Sequence, residues 1–200
     1  MVANAASAYL NLQIAVFKQQ YLHGHCKIGQ IDSFIEKWHN AHEEGVSLRE
    51  YLGLTDEEYA AFLHNDPADA FEKLLDGQRH LQRFRLYQID LETDSTVPYA
   101  FLSAEKLHEL GYEQPRASDY RLVYDLGIYC PNEQPESVKL ERLFQIFNLN
   151  HPKDYRGRSL SMSDVVELYD GQERKYFYCD SANFVPIGFS PMLAKPAKAE

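Results

Sequence analysis

Cysteine is scarce in this chain, and what there is does not cluster. Cys26, Cys130 and Cys179 lie far apart with no CxxC pair, which argues against a zinc knuckle or a dithiol redox motif. An odd number of thiols without a framework suits a reducing compartment, so the expected location is the cytoplasm. A long apolar run is also missing. The opening stretch MVANAASAYLNLQIAVFKQQYL has no basic start and is broken at Asn11 and Gln13. It reads as a short helix rather than a signal peptide or a membrane span. Positive charge is in short supply: 20 Lys and Arg face 30 Asp and Glu, a net charge of -10. That argues against a generic DNA or RNA binder, which carries a basic surface. It leaves open an acidic protein that imitates nucleic acid, although moderate acidity more often serves solubility. Internal repeats and low-complexity tracts are absent.

What remains is ample for a core. The chain has 200 residues, 44% hydrophobic and 13% aromatic, enough for one large domain or two small ones. Residues 4–22 place Leu10, Ile14, Phe17 and Tyr21 on one helical face. Asp32-Ser33 opens a helix with Ile31, Phe34, Ile35 and Trp38 on its apolar side. Ser47 with Glu50, and Thr55 with Glu58, are capping boxes, and Asp66-Pro67 starts a further helix. Past Arg79 the pattern changes. RFRLYQIDL (83–91) and YRLVYDLGIY (120–129) read as strands. Lys106–Leu110 and Val138–Phe147 read as helices, the second striped by Leu140, Leu143, Phe144 and Phe147. Val165–Tyr169 and Lys175–Cys179 form a hairpin across Asp170-Gly171, and Phe184–Phe189 an edge strand containing Pro186. The fold class is therefore α+β: a helical module over 1–79, a mixed domain with a mainly antiparallel sheet over 80–190, and a disordered tail over 191–200. The predicted interior of the mixed domain includes Leu86, Ile89, Leu122, Val123, Leu143, Phe144, Val165, Leu168, Phe177 and Phe184.

The densest chemistry lies in DYRGRSLSMSDVVELYDGQERKYFYCDS, residues 154–181. Arg156-Gly157-Arg158-Ser159-Leu160-Ser161-Met162-Ser163-Asp164-Val165-Val166, followed by Tyr178-Cys179-Asp180-Ser181, resembles the YodL-like domain. The similarity extends over about residues 83–189. The helical segment IDSFIEKWHN…SLREYLGLTDEEYAAFL is similar, more loosely, to a module of mobile-element proteins. The resemblance implies an accessory or interaction role in the biology of mobile elements and assigns no catalytic residue.

The residues allow several readings. Arg156, Arg158 and Ser159 are candidate anion-binding residues, because two guanidiniums and backbone N–H groups suit phosphate or carboxylate. The competing reading is that Gly157 supplies a positive-φ turn while the arginines pair with Asp154, Asp164 or Asp180. Ser159, Ser161 and Ser163 lack a GxSxG elbow, and His151 is the only nearby histidine, so strand-entry hydroxyls are favoured over a nucleophile. His23-Gly24-His25-Cys26 and His39-x-x-His42-Glu43 show no third or fourth ligand. Asp154, Asp164 and Asp180 invite a nuclease reading without a supporting metal phrase. Trp38, Tyr51 and Tyr59 are a candidate interaction surface or, on spacing, part of a helical core. No catalytic residue, metal or cofactor is assigned. The expected function is a non-enzymatic accessory or interaction protein with a protein partner, and with neither membrane nor nucleic acid. The alternatives are an anti-defence mimic of nucleic acid and a phosphoester-acting enzyme using the Arg156/Arg158 turn.

Overall fold

A computed structural model describes residues 16–41, 45–64, 69–93, 96–171 and 173–198. Two compact units are present: Met1–Leu81 with Ile128–Glu133, and Gln82–Gly127 with Gln134–Glu200. The first unit thus takes up a short piece of the second predicted strand in addition to the helical module.

In the first unit, α1 (Phe17–Leu22), α2 (Ile31–Ala41), α3 (Leu48–Leu52), α4 (Asp56–His64) and α5 (Asp69–Asp76) follow in order. The predicted residues 4–15 and the Asp66-Pro67 start lie outside the described residues. Both capping boxes form. Ser47 Oγ accepts from Glu50 N–H, the Glu50 carboxylate accepts from Ser47 N–H at 3.0 Å, and the helix stops at Gly53 with φ +73°. Thr55 and Glu58 do the same for α4, satisfying N–H groups that a helix start leaves open. Glu58 continues inward, where it accepts from Lys18 Nζ and Gln78 Nε2, each at 2.7 Å. The apolar faces meet in a core of Phe17, Tyr21, Phe34, Leu52, Phe71 and Leu75. Leu52 and Leu75 are fully buried, a contribution of about 1.5–3 kcal/mol each.

The second unit is built on a sheet of β1 (Arg79–Ile89), β2 (Tyr120–Pro131), β3 (Val165–Tyr169), β4 (Arg174–Cys179) and β5 (Phe184–Ile187), in the order β2-β1-β3-β4-β5. β1 pairs antiparallel with β3, β3 with β4 and β4 with β5. The hairpin turn is closed by Asp170 N–H to Glu173 O, with Gly171 at φ +101°, a conformation that glycine adopts without steric cost. Because the strand period is two, Tyr87, Val165 and Tyr178 share a face. There they pack with Val97, Tyr99, Tyr120 and Leu107 of α6 (Ala104–Glu109). The opposite face takes α7 (Glu136–Leu149), whose Phe147 meets Phe84 edge-on at 5.7 Å.

Four interior expectations are corrected, at Phe144, Leu122, Val123 and Phe184. Phe144 is 38% exposed, while Lys139 and Arg142 of the same helix are buried. The helix is therefore rotated toward its long cationic side chains, and Lys139 Nζ donates to buried Gln82 at 2.9 Å. Leu122, Val123 and Phe184 are half-buried, because they lie on outer strands. Part of the segment 191–198 makes backbone hydrogen bonds. Pro191–Leu193 form a 3-10 turn, and Lys195 N–H donates to Tyr120 O while Lys195 O accepts from Leu122 N–H.

Candidate functional site

Residues 154–164, the charged and hydroxyl-rich stretch of the sequence, lie in the loop between α7 and β3. Tyr155 anchors it: buried, with ring contacts to Phe147 at 4.8 Å and Tyr124 at 5.5 Å, and its hydroxyl donating to Arg158 O. Gly157 is required by crowding rather than by a positive φ. A Cβ there would overlap the Tyr155 hydroxyl and sit 2.8 Å from Gln88 Oε1. The chain is thereby drawn against β1, where Arg158 N–H donates to Gln88 Oε1 at 3.0 Å.

Arg158 and Asp164 then close a latch. The guanidinium bonds both carboxylate oxygens, at 2.7 and 2.5 Å, the bidentate geometry that favours arginine. Asp164 also accepts from Gln88 Nε2 at 3.0 Å and Ser161 N–H at 2.9 Å. Its backbone receives Cys179 N–H at 2.8 Å. Burial pushes the Asp164 carboxyl up to about 6, against the pull of Arg158. A carboxyl raised toward neutrality is a feature of acid–base catalysts, but Asp164 is 0% exposed and cannot reach a substrate. Ser163 beside it holds φ +72°, a region that costs a non-glycine residue about 1–2 kcal/mol. It is pinned there from three sides: Ser163 N–H donates to Cys179 O, Tyr120 OH donates to Ser163 O, and Phe101 N–H donates to its hydroxyl.

The remaining candidates scatter. Arg156 is exposed and donates through Nη1 to the carbonyls of Lys153 and Tyr155. Ser159 is exposed, its Oγ 3.5 Å from His151 Nε2. That nitrogen is committed to Phe147 O at 2.5 Å, so it carries the proton and is not poised as a base. Asp154 accepts from Tyr124 OH at 2.8 Å. Asp180 shapes the turn after β4, accepting Ser181 N–H and donating its own N–H to Asn183 O. Among the described residues, no three His, Cys, Asp or Glu gather as a metal set. Burial pushes the Cys179 thiol up to about 12, far from a reactive thiolate. In the first unit, Trp38 is half-buried and donates to Val46 O, while Tyr51 and Tyr59 pack against the core. His23 and His39 each bond the carbonyl four residues earlier, and His42 lies outside the described residues.

Sequence reasoning missed three buried polar residues. Gln88 organises the latch. Glu167, 0% exposed, accepts from Tyr87 OH at 2.9 Å and from Arg174. Asp90 accepts from Arg121, Thr93 and Lys195 at 2.7, 2.7 and 3.1 Å. A polar residue inside an apolar strand was the available signal in each case, since such a group needs a partner when buried. Beside the latch, a pocket of about 760 Å³ opens between the ends of β1 and β2, the Asp154–Arg158 loop and residues 197–198.

An antiparallel sheet with a helix on each face, closed by an Arg–Asp latch with a buried carboxylate ahead of its hairpin, defines an α+β domain organised around one polar loop. The YodL-like domain family model matches residues 83–189, more than half of the chain, and the chain belongs to that family. Comparisons with curated proteins and with solved structures match nothing.

Proposed function

We propose that the chain is a non-catalytic accessory protein of a mobile genetic element, cytoplasmic, which acts by binding a protein partner. The observation that carries this reading is the fate of the charged loop: Arg158 and Asp164 are consumed by one another. The half-buried rings of Trp38, Tyr51 and Tyr59 in the helical unit supply the proposed contact surface, since amphipathic aromatics suit interfaces. Mimicry of nucleic acid is less well supported. Glu58 of the proposed acidic track turns inward to Lys18, and Asp56 pairs with Arg49 at 3.2 Å; Glu43, Glu44 and Asp66 lie outside the described residues. The phosphoester-enzyme reading draws on the pocket, which Arg156 and Arg158 both line, and loses by the locking of Arg158.

The test is turnover of single- and double-stranded DNA, RNA and aryl phosphate esters with Mg²⁺ or Mn²⁺. No cleavage is expected. Cleavage that Asp154→Ala or Asp180→Ala abolishes would sink the reading; these two are chosen because Asp164→Ala unfolds the latch. Neighbouring relaxase or defence genes at the coding locus check the mobile-element assignment, and a locus without them counts against it.

A further inference from the structure

The pocket beside the latch has a division of chemistry that the proposed function does not use. Its volume, about 760 Å³, falls in the range of roughly 300–1,000 Å³ typical of small-molecule sites. Val123 supplies an apolar side, and Leu91 and Leu122, which also line the pocket, pack toward the core of the second unit. Facing that side is the loop that carries Asp154 and Arg156. Arg156 spends only Nη1 on the protein, so among the described residues Nε and Nη2 have no partner. Arg121 lines the same pocket, and its buried Nε–H also has no partner. An unspent buried donor in a satisfied interior is a mark of a missing ligand or water. Asp154 adds carboxylate oxygens as acceptors with no cationic partner among the described residues, whereas Glu92 of the same pocket is paired with Lys198.

We infer that this pocket binds a nucleoside monophosphate, its phosphate on Arg156, its sugar hydroxyls on Asp154, and its base against Val123. A guanidinium with two free N–H groups matches a phosphate. Carboxylates accept from vicinal hydroxyls, as acidic residues do for ribose in dinucleotide sites. The Asp154 carboxylate, which has no cationic partner among the described residues, opposes a longer phosphate chain, so one phosphate is preferred to three. Rigidity favours the assignment. Gly157 and the Arg158–Asp164 latch fix the loop that presents Asp154 and Arg156, so little ordering entropy remains to be lost on binding. The inference adds a small-molecule site to the binding role proposed above and does not require the protein partner.

The experiment is calorimetric titration of the full chain with AMP, GMP, CMP and UMP, beside adenosine, ribose 5-phosphate, ATP and inorganic phosphate. At least one monophosphate is expected to bind saturably, with adenosine, ATP and inorganic phosphate each weaker by about tenfold or more, the scale of one lost charged hydrogen bond. Arg156→Ala is expected to weaken binding by about tenfold without changing the unliganded melting temperature, and Arg156→Lys to recover part of it. Val123→Trp, which fills the apolar wall from a half-buried position, is expected to abolish binding. Absence of binding by all four monophosphates overturns the inference. So does equal binding of inorganic phosphate or ribose 5-phosphate, or binding that Arg156→Ala leaves unchanged. Bound nucleotide that is also hydrolysed supports the pocket and sinks the non-catalytic reading instead, so the two fail separately.

Discussion

The two compact units differ in what stabilises each of them internally. The first relies on rings and leucines, with Phe17, Leu52 and Leu75 fully buried and one inward ion pair, Lys18–Glu58. The second encloses three carboxylates, Asp90, Asp164 and Glu167, each with cationic partners. Apolar contacts are non-directional and tolerate small rearrangements. Buried charges are directional and leave a stranded partner when one is removed. The first unit should therefore lose stability in proportion to volume removed, the second according to which hydrogen bond is cut.

The sharpest way to break that comparison is Arg158→Ala. It leaves Asp164 enclosed without its cation, and a loss of about 3–5 kcal/mol is expected. Leu52→Ala, with a loss of about 2–5 kcal/mol, is the matching lesion in the first unit. Trp38 is the single tryptophan and lies in the first unit, so its fluorescence during denaturation reports that unit. Leu52→Ala should shift the Trp38 transition. Arg158→Ala should shift the circular-dichroism transition of the sheet and leave Trp38 where it was. A Trp38 transition that follows Arg158→Ala would show one cooperative molecule and end the comparison.

A smaller lesion separates strain from hydrogen bonding. Ser163→Ala keeps the φ +72° backbone and strands Phe101 N–H, for a loss of about 1–3 kcal/mol by chemical denaturation. Ser163→Gly strands the same donor but relieves the strain, and should cost less. If glycine is the worse of the two, the strain account is wrong.

Much of this was legible in the sequence. Capping boxes, the Asp170-Gly171 hairpin and the helical stripe through Leu140, Leu143 and Phe147 are local patterns, and local patterns are set by neighbours within a turn. The pairing of Arg158 with Asp164 could be read as one of several options because both lie in the same loop. Gln88 could not, since it meets Arg158 across 70 residues and depends on a register that no local pattern records. Phe144 misled for a related reason: spacing places a residue on a stripe but not the stripe against its neighbour. The role of Gly157 was misread as conformational because crowding by Tyr155 and Gln88 is a tertiary fact.

The least costly test of the comparison uses pH. Burial alone would raise Asp90, but its bonds from Thr93, Lys195 and Arg121 outweigh that and hold its carboxyl well below the usual range. A depressed folded-state value contributes stability above the unfolded value, near about 3.9, and the contribution is lost as pH falls below it. Asp90→Asn should therefore be less stable than the parent at neutral pH, with the gap closing in acid. Thermal melts across this range check it, and a gap of constant size would remove Asp90 from the acid response.

Lys195 has a wider consequence. β2 is an outer strand of the sheet, and the segment that runs past Lys195 occupies part of its free rim. An uncovered rim is a template for any passing chain. A variant lacking residues 190–200 would therefore be more than a shorter molecule; its sheet would be adhesive, and turbidity on storage would register the loss before any assay of folding did.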